Sequence, residues 1–196
     1  MARMAGGPGQ RLTLCVAAAF GLTAVGILAL RPSDRLLAVE RWAPQILSAA
    51  AEAGLEDPYW FAGLVYVESK GDPEVRSSIG ALGLCQLLPG TAAELAERYD
   101  VAGPPYTPAD NLRLGARYLA AQLRRFGGDR DLALLAYRLG PEAVRRESAA
   151  AGGVTAWKAQ LRLGKPGPWE YRTQVLRVGD RFRERAAALP ARWAVP

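Results

Sequence analysis

The sequence predicts an all-α protein, with one helical domain placed behind an apolar N-terminal segment. Three observations carry this. Apolar residues recur at helical spacing between Pro and Gly punctuation from residue 34 onward. No stretch alternates apolar and polar residues at period two, and no fixed repeat occurs. Several segments open with a capping residue, and one carries proline directly after it.

Taking the elements in order, residues 12–30 carry no charge and follow Arg3 and Arg11. That length can just cross a bilayer core of about 30 Å. Residues 1–31 are therefore expected to be a transmembrane anchor or a signal peptide. "AVG" at 24–26 offers a small-x-small cleavage site, but the apolar run continues past it to Leu30. Arg31, Arg35 and Arg41 follow closely, so flanking charge does not orient the segment. Either reading places the remainder outside the cytoplasm. Residues 32–41 are expected to be a tether and residues 42–190 the functional domain.

Within that domain, a helix over Pro44–Ala53 stops at Gly54. "EDP" supplies Asp57 as N-cap and Pro58 as the first residue of a helix reaching Ser69. "KGDPEVRSSIG" is a loop. "ALGLCQLLPGT" reads as a short apolar helix ending at Pro89-Gly90, with Thr91 capping another helix to Tyr99. After the loop "VAGPPYTP", Thr107 or Asp110 starts a long helix that ends at Phe126 before Gly127-Gly128. Asp129 caps the next, which ends near Gly140, and Pro141 begins one more. A short helix starts at Thr155, and a last one runs from about Trp169 to Ala188.

The chain has 196 residues, 50% hydrophobic and 22% charged, so a packed core is expected and global disorder is not. The formal charge of +6 comes without a dense Lys/Arg block, which argues against nucleic-acid binding. A mildly basic surface suits anionic wall polymers or lipid headgroups. There is no histidine. Ser–His and Cys–His nucleophiles and His-dependent zinc sites are therefore excluded. Cys15 and Cys85 form no disulfide framework and no CxxC pair, and no metal or cofactor is expected.

Acid–base chemistry near neutral pH then falls to a carboxyl with a shifted pKa. Glu68 is the candidate. Phe61, Leu64 and Val65, at seven, four and three residues back, share its helix face. Burial there, and the negative end of the helix dipole, should lift its pKa above the ordinary value of about 4.3. A carboxylic acid kept protonated is what a glycosidic oxygen needs as proton donor.

The stretch "ESKGDPEVRSSIGALGLCQLLPGTA" (68–92) resembles the signature of the bacterial soluble lytic transglycosylase family. That family shows Glu-Ser, then a Pro, a Ser and GA-x-GL-x-Q-x-x-P-x-TA. "NLRLGARYLAAQLRRFGGDRDLALLAYRLGP" (111–141) is similar to its Asn-x-x-x-Gly-x-x-Tyr-Leu helix and Ala-Tyr-Asn-x-Gly-Pro element. "EYRTQVLRV" (170–178) is similar to its closing Tyr-x-x-x-Val segment.

The resemblance implies a lysozyme-like, goose-type all-α fold with a groove for a peptidoglycan strand. Glu68 would be the only catalytic carboxyl, acting as acid and then as base, and the product would end in 1,6-anhydromuramic acid. Ser77, Gln86 and Tyr137 fall on the motif positions implied to bind substrate, with the Tyr137 hydroxyl implied to bond Glu68 or the substrate beside it. Gly80, Gly83 and Gly140 are read as backbone positions, and Asn111 as a helix-start residue. Cys85 replaces the usual Met, with an expected loss of volume in the groove. Arg138 replaces an Asn, and a cation aimed at Glu68 would lower its pKa.

Two other readings stay open on the sequence. A water-using muramidase would need a second carboxyl, with Asp72, Glu74 and Asp110 as candidates. A peptidoglycan-binding module with an impaired groove is motivated by Arg138. The partners implied are peptidoglycan strands and, through residues 12–30, the membrane.

Overall fold

The computed structural model describes residues 34–164 and 167–194. Helices account for the regular structure, with two isolated antiparallel bridges between them. In chain order these are α1 (Asp34–Glu40), α2 (Ala43–Ala53), α3 (Pro58–Ser69), α4 (Pro89–Arg98) and α5 (Pro108–Arg125). Then come α6 (Arg130–Leu139), α7 (Pro141–Ala150), α8 (Val154–Leu163), α9 (Pro168–Ala188) and a 3₁₀ turn, Pro190–Trp193. The segment 12–30 lies outside the described residues. Among the described ones, no helix is long and apolar enough to cross a membrane.

Helix α3 is the centre of the fold. Its run "YWFAGLV" is apolar on every side, which suits a helix surrounded by others. Phe61, Leu64 and Val65 are fully buried against Val175, Val178 and Phe182 of α9 and against α2 and α5 in one core. Leu132, Leu135, Val144 and Trp157 build a smaller cluster between α6, α7 and α8. Helices α3 and α9 touch backbone to backbone. A Cβ on Gly63 would stand 2.2 Å from the Val175 carbonyl oxygen, and one on Gly179 would stand 2.9 Å from that of Tyr59. Only glycine permits that approach.

The capping signals act as their chemistry requires. Asp57 accepts from the amides of Tyr59 and Trp60, Thr107 from Asp110, and Asp129 from Leu132. Helix α1 lies in the stretch expected to be a tether. Val39 joins the core, and the Glu40 carboxylate, 2% exposed, accepts from Arg185 and Arg192 at the far end of the chain.

The segment 81–88 departs from the expected helix. Arg76 bridges Leu82, and Leu82 bridges Leu87. Gly80, Gly83 and Gln86 sit at φ of +84°, +74° and +48°. Three left-handed residues in seven break any helix. Helix α4 consequently starts at Pro89, with Leu88 at its N-cap making no side-chain bond, and Thr91 is an interior residue rather than the cap.

Candidate active site

Glu68 stands on the last turn of α3, half-buried. The helix ends because Lys70 and Gly71 turn left-handed, at φ of +58° and +83°. The Ser69 hydroxyl donates to the Val65 carbonyl, 3.1 Å, and Lys70 Nζ to the Val67 carbonyl, 3.1 Å. These bonds satisfy carbonyls at the helix end.

Oε1 of Glu68 accepts a hydrogen bond from the Tyr171 hydroxyl at 2.6 Å. Tyr171 lies on the first turn of α9 and is 7% exposed. Burial raises the pKa of Glu68. The Tyr171 bond and the charges of Arg138 and Lys70 pull it down without cancelling the rise. Burial and the neighbouring Glu68 charge push the Tyr171 hydroxyl far up, which keeps it a donor. Arg138 is exposed, with its guanidinium 5.4 Å from the Tyr171 ring centroid. Its cation acts on Glu68, as the sequence suggested, but desolvation outweighs it.

The motif residues occupy the loop beside Glu68. The Tyr137 hydroxyl donates to the Cys85 carbonyl at 2.8 Å, so the observed donor to Glu68 is Tyr171. Gln86 Nε2 donates to the carbonyls of Val75 and Gly83, both at 3.0 Å. The Ser77 hydroxyl accepts from the Ala81 amide at 3.0 Å. Gln86 and Ser77 thus hold the loop's shape, with the Gln86 oxygen and the Ser77 hydrogen not engaged in these bonds.

Cys85 does not line a groove. It is fully buried, and its Sγ packs so closely on α5 that a Cβ on Gly115 would come within 2.4 Å of it. The expected loss of groove volume at Cys85 is therefore corrected to a change inside the core. Asn111 is also more than a helix-start residue. Buried on α5, it accepts from the Cys85 amide at 2.8 Å and donates to the Leu82 carbonyl at 3.1 Å. It locks the loop to the helix, and a Cβ on Gly83 would strike its side chain.

Among the described residues, none of the carboxyls offered as water-holding partners bonds to Glu68 or to its donor Tyr171. Asp72 accepts from the Glu74 amide, Glu74 lines a separate cleft with Pro73 and Tyr106, and Asp110 accepts from Thr107. That cleft, about 260 Å³, shares Leu82, Gly83 and Asn111 with the loop but does not include Glu68.

Sequence reasoning missed Tyr171 and the Asn111 clamp. Tyr171 sits inside the quoted "EYRTQVLRV" block, so its motif was visible while its contact was not. Asn111 opens the second block and was read only for its place at a helix start.

Comparison with known proteins gives a consistent picture. Residues 45–160, more than half of the chain, match the model of the transglycosylase SLT domain. A transglycosylase of Enterobacteria phage PRD1 is 35% identical over 130 residues, covering 65% of this chain and 46% of the phage protein. The soluble lytic murein transglycosylase of Escherichia coli K12 is 33% identical over 99 residues, 47% of this chain and 15% of that protein. The crystal structure of an inactive mutant of the lytic transglycosylase Slt from Pseudomonas aeruginosa superposes with a TM-score of 0.64 at 28% identity. It covers 74% of this chain and 24% of that one. The chain thus matches less than half the length of each of these relatives.

Proposed function

This chain belongs to the transglycosylase SLT domain family, and from that premise we propose that it cleaves peptidoglycan strands between N-acetylmuramic acid and N-acetylglucosamine. The observation that carries the reading is the Glu68–Tyr171 pair, a half-buried carboxyl with a raised pKa held by a fixed donor. Protonated Glu68 gives its proton to the glycosidic oxygen as the C1–O bond breaks, leaving an oxocarbenium-like sugar. Glu68, now anionic, takes the proton of the muramic acid 6-hydroxyl while O6 bonds to C1. A 1,6-anhydro ring forms and no water is consumed. One carboxyl serves both steps.

In this reading the Ser77 hydroxyl and the Gln86 oxygen face the sugar, and Tyr137 holds the Cys85–Gln86 backbone in place for them. Residues 42–190 form the catalytic domain together with α1 and the closing 3₁₀ turn, whose Val39 and Trp193 join its core. Residues 12–30 act as membrane anchor or signal, with the domain working outside the cytoplasm.

The test is mass spectrometry of purified peptidoglycan digested by the wild-type chain and by Glu68→Gln. Wild type should release fragments one water lighter than hydrolysis products, and Glu68→Gln should fall below about 1% of that rate. Hydrolysed reducing ends would make the protein a muramidase. Absence of fragments from wild type would make it a binding module.

A further inference from the structure

An open cleft of about 700 Å³ lies between α4, α5 and the start of α7, and none of the roles assigned above uses it. Its charge is unbalanced. Arg98 pairs with Glu94 at 2.9 Å, but Arg125 and Arg145 share the single carboxylate of Glu142 at 3.4 and 3.3 Å. Arg124 has no ion pair among the described residues. Four arginines face two glutamates, so two cationic charges remain unneutralised in the cleft, shared between α5 and α7. The cleft also holds an unsatisfied amide. Gln122 is 3% exposed, and its Oε1 has no donor among the described residues. A half-turn of its terminal torsion exchanges oxygen and nitrogen, so the acceptor can face the cleft. Turned that way, Gln122 offers the cleft an amide oxygen that a ligand N–H can meet.

The cleft borders the Glu68 neighbourhood. The Tyr118 ring on its wall packs 5.1 Å from the Tyr137 ring, and the Tyr137 hydroxyl bonds the Cys85 carbonyl. A ligand entering here must present carboxylates to guanidinium groups and an N–H to Gln122. Resting on the reading given under Proposed function, we infer that this cleft binds the peptide stem of the substrate through its free carboxylates, with Arg124 and Arg145 as their partners and Gln122 accepting from a stem amide. Peptide stems leave the glycan from the muramic acid lactyl group, on the sugar next to the cleaved bond, so a glycan held at Glu68 has a stem close by. Guanidinium–carboxylate pairing in an open cleft gives selectivity more than tight binding.

The test measures binding of the full-length Glu68→Gln chain to three preparations of glycan strands. All are first freed of phosphate polymers with hydrofluoric acid, so a phosphate source is excluded. One keeps its stems, one is stripped by a muramoyl-alanine amidase, and one has its stem carboxylates chemically amidated. Strands with free carboxylates should bind about fivefold more tightly than either of the others. Arg124→Gln/Arg145→Gln should abolish that preference. Arg177→Gln/Arg181→Gln, which removes the same charge from exposed positions on α9, should keep it.

Equal binding of the three preparations, or a preference that survives loss of Arg124 and Arg145, overturns the inference. So does a preference lost equally in the α9 variant, because net charge would then explain it. Cleavage of stripped strands by the wild-type chain reports on the proposed reaction by itself. Stem-dependent binding without cleavage would leave the inference standing and remove the reaction. Cleavage without stem preference would do the reverse.

Discussion

The Tyr171 hydroxyl and the Glu68 carboxyl, 103 positions apart in the chain, meet at 2.6 Å. The meeting depends on the crossing of α3 and α9, where Gly63 and Gly179 let the two backbones touch. Residues toward the C-terminal end of α3 then face residues toward the N-terminal end of α9, which sets Glu68 opposite Tyr171. Site and core are one construction. The same packing that buries Phe61, Val175 and Phe182 raises the pKa of Glu68 and supplies its donor.

Tyr171→Phe should keep that packing and remove only the hydrogen bond. The bond favours the Glu68 anion, so its loss raises the Glu68 pKa further. An acid catalyst loses activity above its pKa, so the alkaline limb of the kcat/KM profile should move to higher pH. The rate at the optimum should fall about tenfold to a hundredfold, since the carboxyl loses the group that orients it. A limb that stays in place would mean that Tyr171 fills space and nothing more.

Arg138→Asn should keep or raise activity near neutral pH. The Arg138 cation lowers the Glu68 pKa, opposing the proton donor. Its removal moves the alkaline limb upward, as for Tyr171→Phe, but without the loss of rate. Arg138 is exposed, so the difference from wild type should shrink in about 1 M salt, where such charges are screened. A loss of about tenfold or more would instead place Arg138 against the substrate.

Asn111→Ala should destabilise the protein by about 2–3 kcal/mol. It strips the Cys85 amide and the Leu82 carbonyl of their partners in a buried setting. The denaturant midpoint should drop at unchanged slope. Activity should fall by more than the unfolded fraction explains, because the loop that carries Gln86 loses its tie to α5. A variant as stable as wild type would show that the loop holds its shape through the Gln86 bonds alone.

What the sequence made legible follows from the range of the interactions involved. Asp57, Thr107 and Asp129 cap helices through bonds to residues two or three positions on, and local spacing reveals such bonds. The apolar face under Glu68 is equally local. The segment 81–88 misled because its leucines fit helical spacing. Its actual path depends on left-handed Gly80, Gly83 and Gln86 and on a side chain of Asn111 arriving from α5. Glu40 in the expected tether gave no sign that Arg185 and Arg192 would enclose it. Tyr171 was present in a recognised block, yet only the α3–α9 crossing decides which tyrosine reaches Glu68.

Glu68 also ties function to stability, and this gives a test that needs no substrate. Burial is the largest influence on its carboxyl and holds the folded pKa above the unfolded one. The folded state then binds the proton more tightly than the unfolded state. The resulting stability is fully present below the unfolded pKa and is lost as pH rises through the folded one. Gln at this position cannot ionise, and its carbonyl oxygen can still accept from Tyr171. Glu68→Gln should therefore melt at a higher temperature than wild type at about pH 8, and the gap should close toward about pH 4. The buried Glu40 works in the opposite sense. Its pKa is lowered because Arg185 and Arg192 outweigh burial, so its contribution is lost as pH falls. That loss is common to both forms and cancels in the difference between them. Calorimetry across this range reads the sign directly. A variant no more stable than wild type on the alkaline side would mean that Glu68 ionises without cost, and the argument for Glu68 as a proton donor near neutral pH would fall with it.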